Sequence, residues 1–541
     1  MQHVITAEEP AGESAGGLDR SPTLWELLTR RAALTPDAPA FVQADSPAAD
    51  GPAGDRRITF GALPTRAEAV AAWLHLLGVR PGSRFVWQLP TRIETVVLSF
   101  ALARLGAVQS PLVPAYRDRE AGHALRATGA AFLAVPGVLR GFDHTAMARR
   151  LARALPVPPL VVTAYDALPE ADPAPLPPPP TDGTEVRWIH WTSGTTADPK
   201  GVLHSDRSLI AAGAHLADAL GRTAADVGSM AFPYAHVAGP DYTVMALLRG
   251  FPVVLFEHFS LPGSLGAYRR HGVTLAGGST AFYSMFLAEQ RKDPGRRIIP
   301  TLRMLAGGGA PRPPQLYDEV VRELGCRLLH GYGMTEAPTI TMGRPQDPQE
   351  RLAGTEGRPP RSGMEIRIIA PDSTTAPAGS DGEVCLRGEA VCRGYLDPAH
   401  TAEAFDADGF LHTGDRGHLT DDGFLVLTGR LKDVIIRKGE NISAQEIEQL
   451  LHRHPDVEDC AVIGLPDAER GERVCAVVQQ PAGARPLALR DVTDHLRAAG
   501  LAVHKLPEQL EVVAELPRSG TLHKVLKQPL RERFSAQPPA R

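Results

Sequence analysis

Residues 190–205 read HWTSGTTADPKGVLHS. Thr192, Ser193, Gly194, Thr195 and Thr196 crowd four hydroxyls and a glycine into five positions, and Lys200 and Gly201 follow. Small residues let several backbone N–H groups converge, so with hydroxyls and a cation beside them such a loop suits a phosphate-like anion. The same composition also makes ordinary turns. The stretch is not a Walker loop, which needs G-x-x-x-x-G-K-[ST]. Pro199 stands where the glycine before the lysine belongs, and Gly201 where Ser or Thr belongs. The preceding VRWIHW reads as a short strand that runs straight into this loop.

Upstream, SRFVWQL reads as a strand, residues 93–105 as a helix and AAFLAVP as a strand again. That alternation predicts parallel βαβ units. The proline-rich DALPEADPAPLPPPPTDG, from Asp166, fits neither a helix nor a central strand and is expected to be a surface connection. Downstream, FPVVLFE, VTLAGG and RMLAGGG read as strands and AFYSMFLAEQRK as a helix. Between residues 382 and 427, short strands such as GEVCLRG and GFLVLTG alternate with Gly and Asp turns, as in a small antiparallel sheet or barrel. Past Gly429, Ser443 and Glu446 form a capping-box pattern before AQEIEQLLHRH. The expected fold is α/β: a large N-terminal domain of parallel-type sheets with a small barrel-like subdomain, then a small, mobile α+β C-terminal domain. The boundaries are a flexible tail over 1–20, an N-terminal domain over 21–429 and a C-terminal domain over 430–541.

Composition removes several function classes. With 541 residues, more than one domain is expected. A formal net charge of -5 gives no pull toward nucleic acid or an anionic membrane. Five cysteines without a C-x-x-C pair argue against a disulfide framework or zinc knuckle and fit a reducing cytoplasm. The N-terminus lacks a basic region followed by an apolar one, so no signal peptide is read. The longest apolar run, from Ile93, carries Glu94 and Arg104 and is too short to span a bilayer.

Four further motifs follow in order: GYGMTEAP at 331–338, HTGDRG at 412–417, TGRLKDVIIRKGENIS at 428–443 and LPRSGTLHKVLK at 516–527. With the opening stretch, they resemble the adenylate-forming superfamily over residues 24–531. VWQLP, PLVPAYRDRE, RGFDH and VIIRKGENIS are most similar to acyl-CoA ligases of the medium-chain and cyclohexanecarboxylate type. The resemblance implies that ATP and a carboxylic acid form an acyl-adenylate with loss of pyrophosphate, and that the acyl group then passes to a thiol. It implies that Thr192, Ser193, Gly194, Thr195, Thr196 and Lys200 hold phosphates. Glu336 would hold Mg²⁺, with Thr335 beside the α-phosphate. Tyr332, within Gly331–Gly333, would stack on adenine opposite Gly309, Ala310 and Pro311. Asp415 would accept the ribose hydroxyls, with Arg430 and Asn441 also at the nucleotide. Lys524 would be the catalytic lysine; His523 stands where the family has glycine, which leaves Lys527 as the alternative. Lys432 would be the hinge, and Lys438 and Gly439 would belong to the face that meets the thiol.

His236 is expected to gate the entering carboxylate, and Val237 in place of an acidic residue speaks against amino-acid substrates. His236, Val237, Gly239, Gly278, His330, Met334 and Ala337 would line a pocket for a bulky or alicyclic apolar acid, while Asp241 reads as a helix-start residue. The acceptor is expected in trans: CoA first, a separate carrier protein second. Two alternatives stay open, a stand-alone acyl-adenylating enzyme and a non-catalytic nucleotide sensor. A homodimer is one assembly left open.

Overall fold

VRWIHW forms the strand Val186–Trp191, and the chain turns back as the antiparallel strand Gly201–Ser205. This computed structural model describes residues 21–46, 54–192, 199–309, 312, 315–361, 363–437, 440–467, 470–518 and 525–535. Ser193, Gly194, Thr195, Thr196, Ala310, Pro311, Lys438, Gly439 and Lys524 lie outside them, as do the side chains of Lys432 and Asn441.

Strands Arg84–Trp87, Val108–Pro111, Phe132–Val135 and Leu160–Thr163 join Val186–Trp191 in a six-stranded sheet, parallel except for its Gly201–Ser205 edge. An eight-stranded sheet has a parallel centre that includes Gly228–Met230, Leu275–Gly278, Met304–Gly308 and Arg327–Met334. Its edges, Gly54–Thr59 and Ala337–Met342, are antiparallel. Parallel strands are buried on both faces, which explains their continuous apolar runs. The helix Ile93–Arg104 has every residue buried and packs in the core with both sheets, so Glu94 and Arg104 must be paired. Glu94 is bonded by Arg56 and Arg66, and Arg104 by Glu68 at 2.9 Å. The proline-rich segment is irregular chain, as expected.

Residues 364–430 form an open meander: Met364–Ile369, Gly382–Gly388, Leu411–Leu419 and Leu425–Arg430 in sequential antiparallel order. After the turn at Leu431–Asp433, a separate sheet is built from Val434–Arg437, Glu440–Ser443, Asp459–Asp467, Gly471–Gln479 and Gln509–Val513. Its own apolar cluster includes Ile435, Ile447, Val462, Val474 and Leu496. At the helix Ala444–Leu451, Ser443 caps Glu446 N as the capping pattern predicts. The reciprocal half is replaced, because the Glu446 side chain pairs with Lys505 Nζ at 2.7 Å. Among the described residues no helix is long and apolar enough to cross a membrane.

Candidate active site

The carboxyl ends of the parallel strands open onto one cleft of about 1120 Å³. Ligands in doubly wound sheets bind at these ends. Thr192 and Lys200 line the cleft and close the base of the threonine-rich loop. Thr192 N donates to Lys200 O, and Lys200 N donates to Thr192 Oγ1, each at 3.0 Å. The two ends of the loop are therefore fixed to each other.

Thr335 and Glu336 are the two-residue turn of a hairpin between Arg327–Met334 and Ala337–Met342, so both sit at the sheet's end facing the cleft. Glu336 is buried, and Tyr395 Oη donates to its Oε1 at 2.7 Å. Burial raises the Glu336 carboxyl above the ordinary carboxylate range; the Tyr395 hydroxyl and the Lys200 charge oppose that rise. Lys200 Nζ lies 5.3 Å from the Tyr395 ring centre. The segment around Tyr395 is fastened to strand Gly201–Ser205 through Leu203 N to Gly394 O, Arg393 N to Leu203 O and Leu396 N to Gly201 O. Cys392 N donates to Glu336 O at 2.8 Å. One short segment thus ties the strand leaving the threonine-rich loop to the hairpin acid. Sequence reading missed Tyr395, whose partner is 59 residues away.

Behind Thr335, the buried His204 presents Nε2 to the Thr335 carbonyl at 2.8 Å. Burial lowers its pKa to about 4, so the ring is neutral near pH 7. A carbonyl only accepts, so Nε2 carries the proton and Nδ1 faces Ser208 Oγ at 2.9 Å.

Tyr332, Gly331, Gly333, Gly309 and Arg430 also line the cleft. The Tyr332 hydroxyl donates to Asp415 Oδ2 at 2.5 Å, and Arg430 Nε stands 2.7 Å from Asp415 Oδ1. Asp415 is buried behind Thr413 and Gly414, which face the cleft. Its carboxylate is already engaged on both oxygens, leaving only their second lone pairs for a further donor. Glycines make the floor: a Cβ on Gly307 would stand 1.8 Å from the Gly278 carbonyl oxygen.

Of the expected acyl-pocket residues, His236, Val237, Gly278 and Met334 line the cleft. Burial lowers His236 to about 4, so its ring is neutral near pH 7. Three expectations are corrected. His330 lies two residues back along its strand, beneath the cleft, where Nε2 meets Glu356 at 3.1 Å and Nδ1 faces Tyr283 at 3.4 Å. Ala337 packs into the cluster with Tyr332, Ile340 and Val384, and its neighbours Pro338 and Thr339 face the cleft. Gly239 abuts the Tyr234 backbone, where a Cβ would come within 2.1 Å of the carbonyl oxygen. The wall is instead completed by Phe232, Phe259, Phe282, Met285 and, unexpectedly, Asp241.

From the side of the C-terminal sheet that begins at Val434, Val525, Lys527, Gln528 and Arg531 reach the cleft. Lys527 Nζ is held by Glu448 Oε1 at 2.7 Å, and Arg531 by Asp433 at 2.9 Å.

The AMP-binding enzyme family model matches residues 28–396, and the AMP-binding enzyme C-terminal domain model matches residues 446–521. The chain is 33% identical to a salicyl-AMP ligase / salicyl-S-ArCP synthetase of Mycobacterium tuberculosis, covering 94% of this chain and 91% of that one. It is 32% identical to a 2-hydroxy-7-methoxy-5-methyl-1-naphthoate–CoA ligase of Streptomyces carzinostaticus, over 98% of both. The Escherichia coli medium-chain fatty-acid–CoA ligase is 32% identical over 86% of this chain and 85% of its own. ATP-bound MatB from Rhodopseudomonas palustris superimposes with a TM-score of 0.81 at 27% identity, over 95% of this chain and 99% of that one. A Bacillus subtilis o-succinylbenzoate CoA synthetase in complex with ATP and magnesium gives 0.80 at 28%, over 93% and 98%. The chain belongs to the AMP-binding enzymes of the adenylate-forming superfamily.

Proposed function

We propose that this chain is an ATP-dependent acyl-CoA ligase that activates an apolar, ring-bearing or otherwise bulky carboxylic acid as its acyl-adenylate. The observation that carries the reading is one cleft that combines two chemistries. Lys200, Glu336 and Arg430 line it together with an aromatic wall and the neutral His236. In the first step a substrate carboxylate oxygen bonds to the α-phosphorus of ATP while the bond to pyrophosphate breaks. Two anions must meet, so the protein's task is to neutralise and position charge.

The threonine-rich loop and Lys200 take the terminal phosphates in this reading. Tyr332, braced by Asp415, seats the base and ribose, and Arg430 reaches from the same brace. Glu336 is a hard oxygen donor on a fixed turn and fits Mg²⁺, which favours carboxylate oxygen. Bound there, the ion would spread charge from the phosphates. Lys524 is assigned the bridge between attacking carboxylate and α-phosphate. Lys527 is already paired with Glu448, which supports that assignment. Lys432 is assigned the hinge, Asn441 a place at the nucleotide, and Lys438 and Gly439 the surface that then approaches the acyl-adenylate. The thiol sulfur next bonds to the acyl carbon and AMP leaves.

CoA is the proposed acceptor. A carrier protein is the second reading, supported by the salicyl-S-ArCP synthetase among the relatives. A cytoplasmic setting accords with five unpaired buried cysteines. The test is ATP–pyrophosphate exchange across a panel of carboxylic acids, repeated with CoA and detection of the thioester. Exchange with thioester supports the reading. Exchange without thioester moves the acceptor to a carrier protein. AMP binding without acid-dependent exchange makes the chain a nucleotide sensor.

A further inference from the structure

Asp241 is 4% exposed and faces the acyl end of the cleft from the first turn of the helix Ala238–Arg249. Its Oδ2 accepts from Thr339 Oγ1 at 2.9 Å. Its Oδ1 is buried with no hydrogen-bond partner among the described residues. An acid in a first helical turn is ordinarily explained by the helix dipole or by capping backbone N–H groups. Here the carboxylate is bonded by Thr339 of the strand Ala337–Met342 instead of capping its own helix. Burial pushes the carboxyl up to about 7, and only the Thr339 hydroxyl pulls it down. A purely apolar ligand would leave Oδ1 unpaired, and a buried acceptor without a partner is costly.

The surroundings narrow the ligand. Phe259 and Phe282 stack with ring centres 5.2 Å apart, and Phe232, Tyr242 and Phe256 continue the lining. Such a wall suits a flat ring. We propose that the acyl subsite takes an aromatic carboxylic acid that carries a hydrogen-bond donor on its ring, a hydroxyl or an amine, which Asp241 accepts through Oδ1. This rests on the reading that the cleft activates an acid, and it replaces a purely apolar substrate by one with a single polar handle. Thr339 is a positioning residue, holding the carboxylate so that one oxygen remains for the substrate.

The experiment is acid-dependent pyrophosphate exchange with matched benzoic and naphthoic acids, each unsubstituted, hydroxy-, amino- or methoxy-substituted at each ring position. Wild type is expected to favour a hydroxy or amino acid over its unsubstituted and methoxy counterparts by about 10- to 100-fold in kcat/KM, since a site built around a substrate donor rejects the analogue lacking it. The hydroxy and amino arms tell which donor fits. Asp241→Leu should bring the kcat/KM ratio between donor-bearing and unsubstituted acids, each read in the same variant, to within about twofold of one. Asp241→Asn, with its amide N–H₂, should gain activity toward the methoxy acids; it serves should the leucine variant melt early. Equal rates for donor-bearing and donor-free acids in wild type, or a preference that survives both substitutions, would overturn the proposal. Exchange with none of these acids but with aliphatic ones overturns it and spares the ligase reading. Exchange with no acid at all overturns the ligase reading itself.

Discussion

Replacing Tyr395 by phenylalanine removes one oxygen and keeps the ring that packs against Val202 and Cys392. The lost group is the donor to Glu336 Oε1 at 2.7 Å. A hydrogen bond to a charged group contributes about 1.5–3 kcal/mol, and each 1.4 kcal/mol is tenfold in an equilibrium. If Glu336 must be ionised to hold Mg²⁺, the cost falls on metal binding and not on the carboxylic acid. The half-saturating Mg²⁺ in the exchange assay should therefore rise by about 10- to 150-fold. Sign matters as well. The Tyr395 hydroxyl lowers the Glu336 pKa against burial. Its loss raises that pKa, so the acid limb of the rate profile should move to higher pH. Excess Mg²⁺ should restore much of the rate, and KM for the acid should stay within about twofold, since no acid-binding contact was removed. A thermal melt separates this from misfolding. A folded Tyr395→Phe enzyme with wild-type Mg²⁺ response and an unmoved acid limb would refute the reasoning.

Lys524→Ala should slow exchange by about 10²–10³, the usual loss for one transition-state contact. Lys527→Ala should instead lower the melting temperature by a few degrees with little loss of rate, because Glu448 keeps the Val462 N–H at 2.7 Å as a partner. The reverse pattern would exchange their roles. For His204, the unfolded ring titrates near 6.5 and the native one at about 4. The unfolded chain binds the extra proton between those values, so stability rises with pH across that window and is lost as pH falls through it. In His204→Gln the slope of unfolding free energy from urea titrations should shrink by up to about 1.4 kcal/mol per pH unit; an unchanged slope counts against a buried neutral ring. Burial pushes the thiols of Cys326, Cys385, Cys392 and Cys475 up to about 12, and Cys460 is raised as well. An aromatic disulfide reagent should therefore label the native protein slowly and all five cysteines promptly in guanidinium. Fast native labelling would contradict that burial.

Periodicity disclosed most of the architecture, because parallel strands bury both faces and so read as short apolar runs between helices. Motif order placed Thr335, Glu336 and Tyr332, which the hairpin and its strand do bring to one cleft. The failures came from side-chain direction. Adjacency to GYGMTE points His330 and Ala337 at the pocket, yet position along the strand and the register shift between Tyr332 and Met334 decide which side chains emerge. Asp241 could have been found, since it lies four residues after the cleft-lining Val237, and that spacing shares a helix face. Tyr395 could not, for its meaning depends on a tertiary contact. In the four-stranded meander, local Gly and Asp turns identified antiparallel strands but carried no information on closure.

The segment carrying Tyr395 has a consequence for how the molecule may be divided. It lies against Gly201–Ser205, the outermost strand of the six-stranded sheet. Bare strand margins recruit strands from other molecules. A fragment ending before residue 391 would uncover Gly201 and Leu203 and invite self-association. Truncation is tolerable only beyond Arg430, where the meander ends.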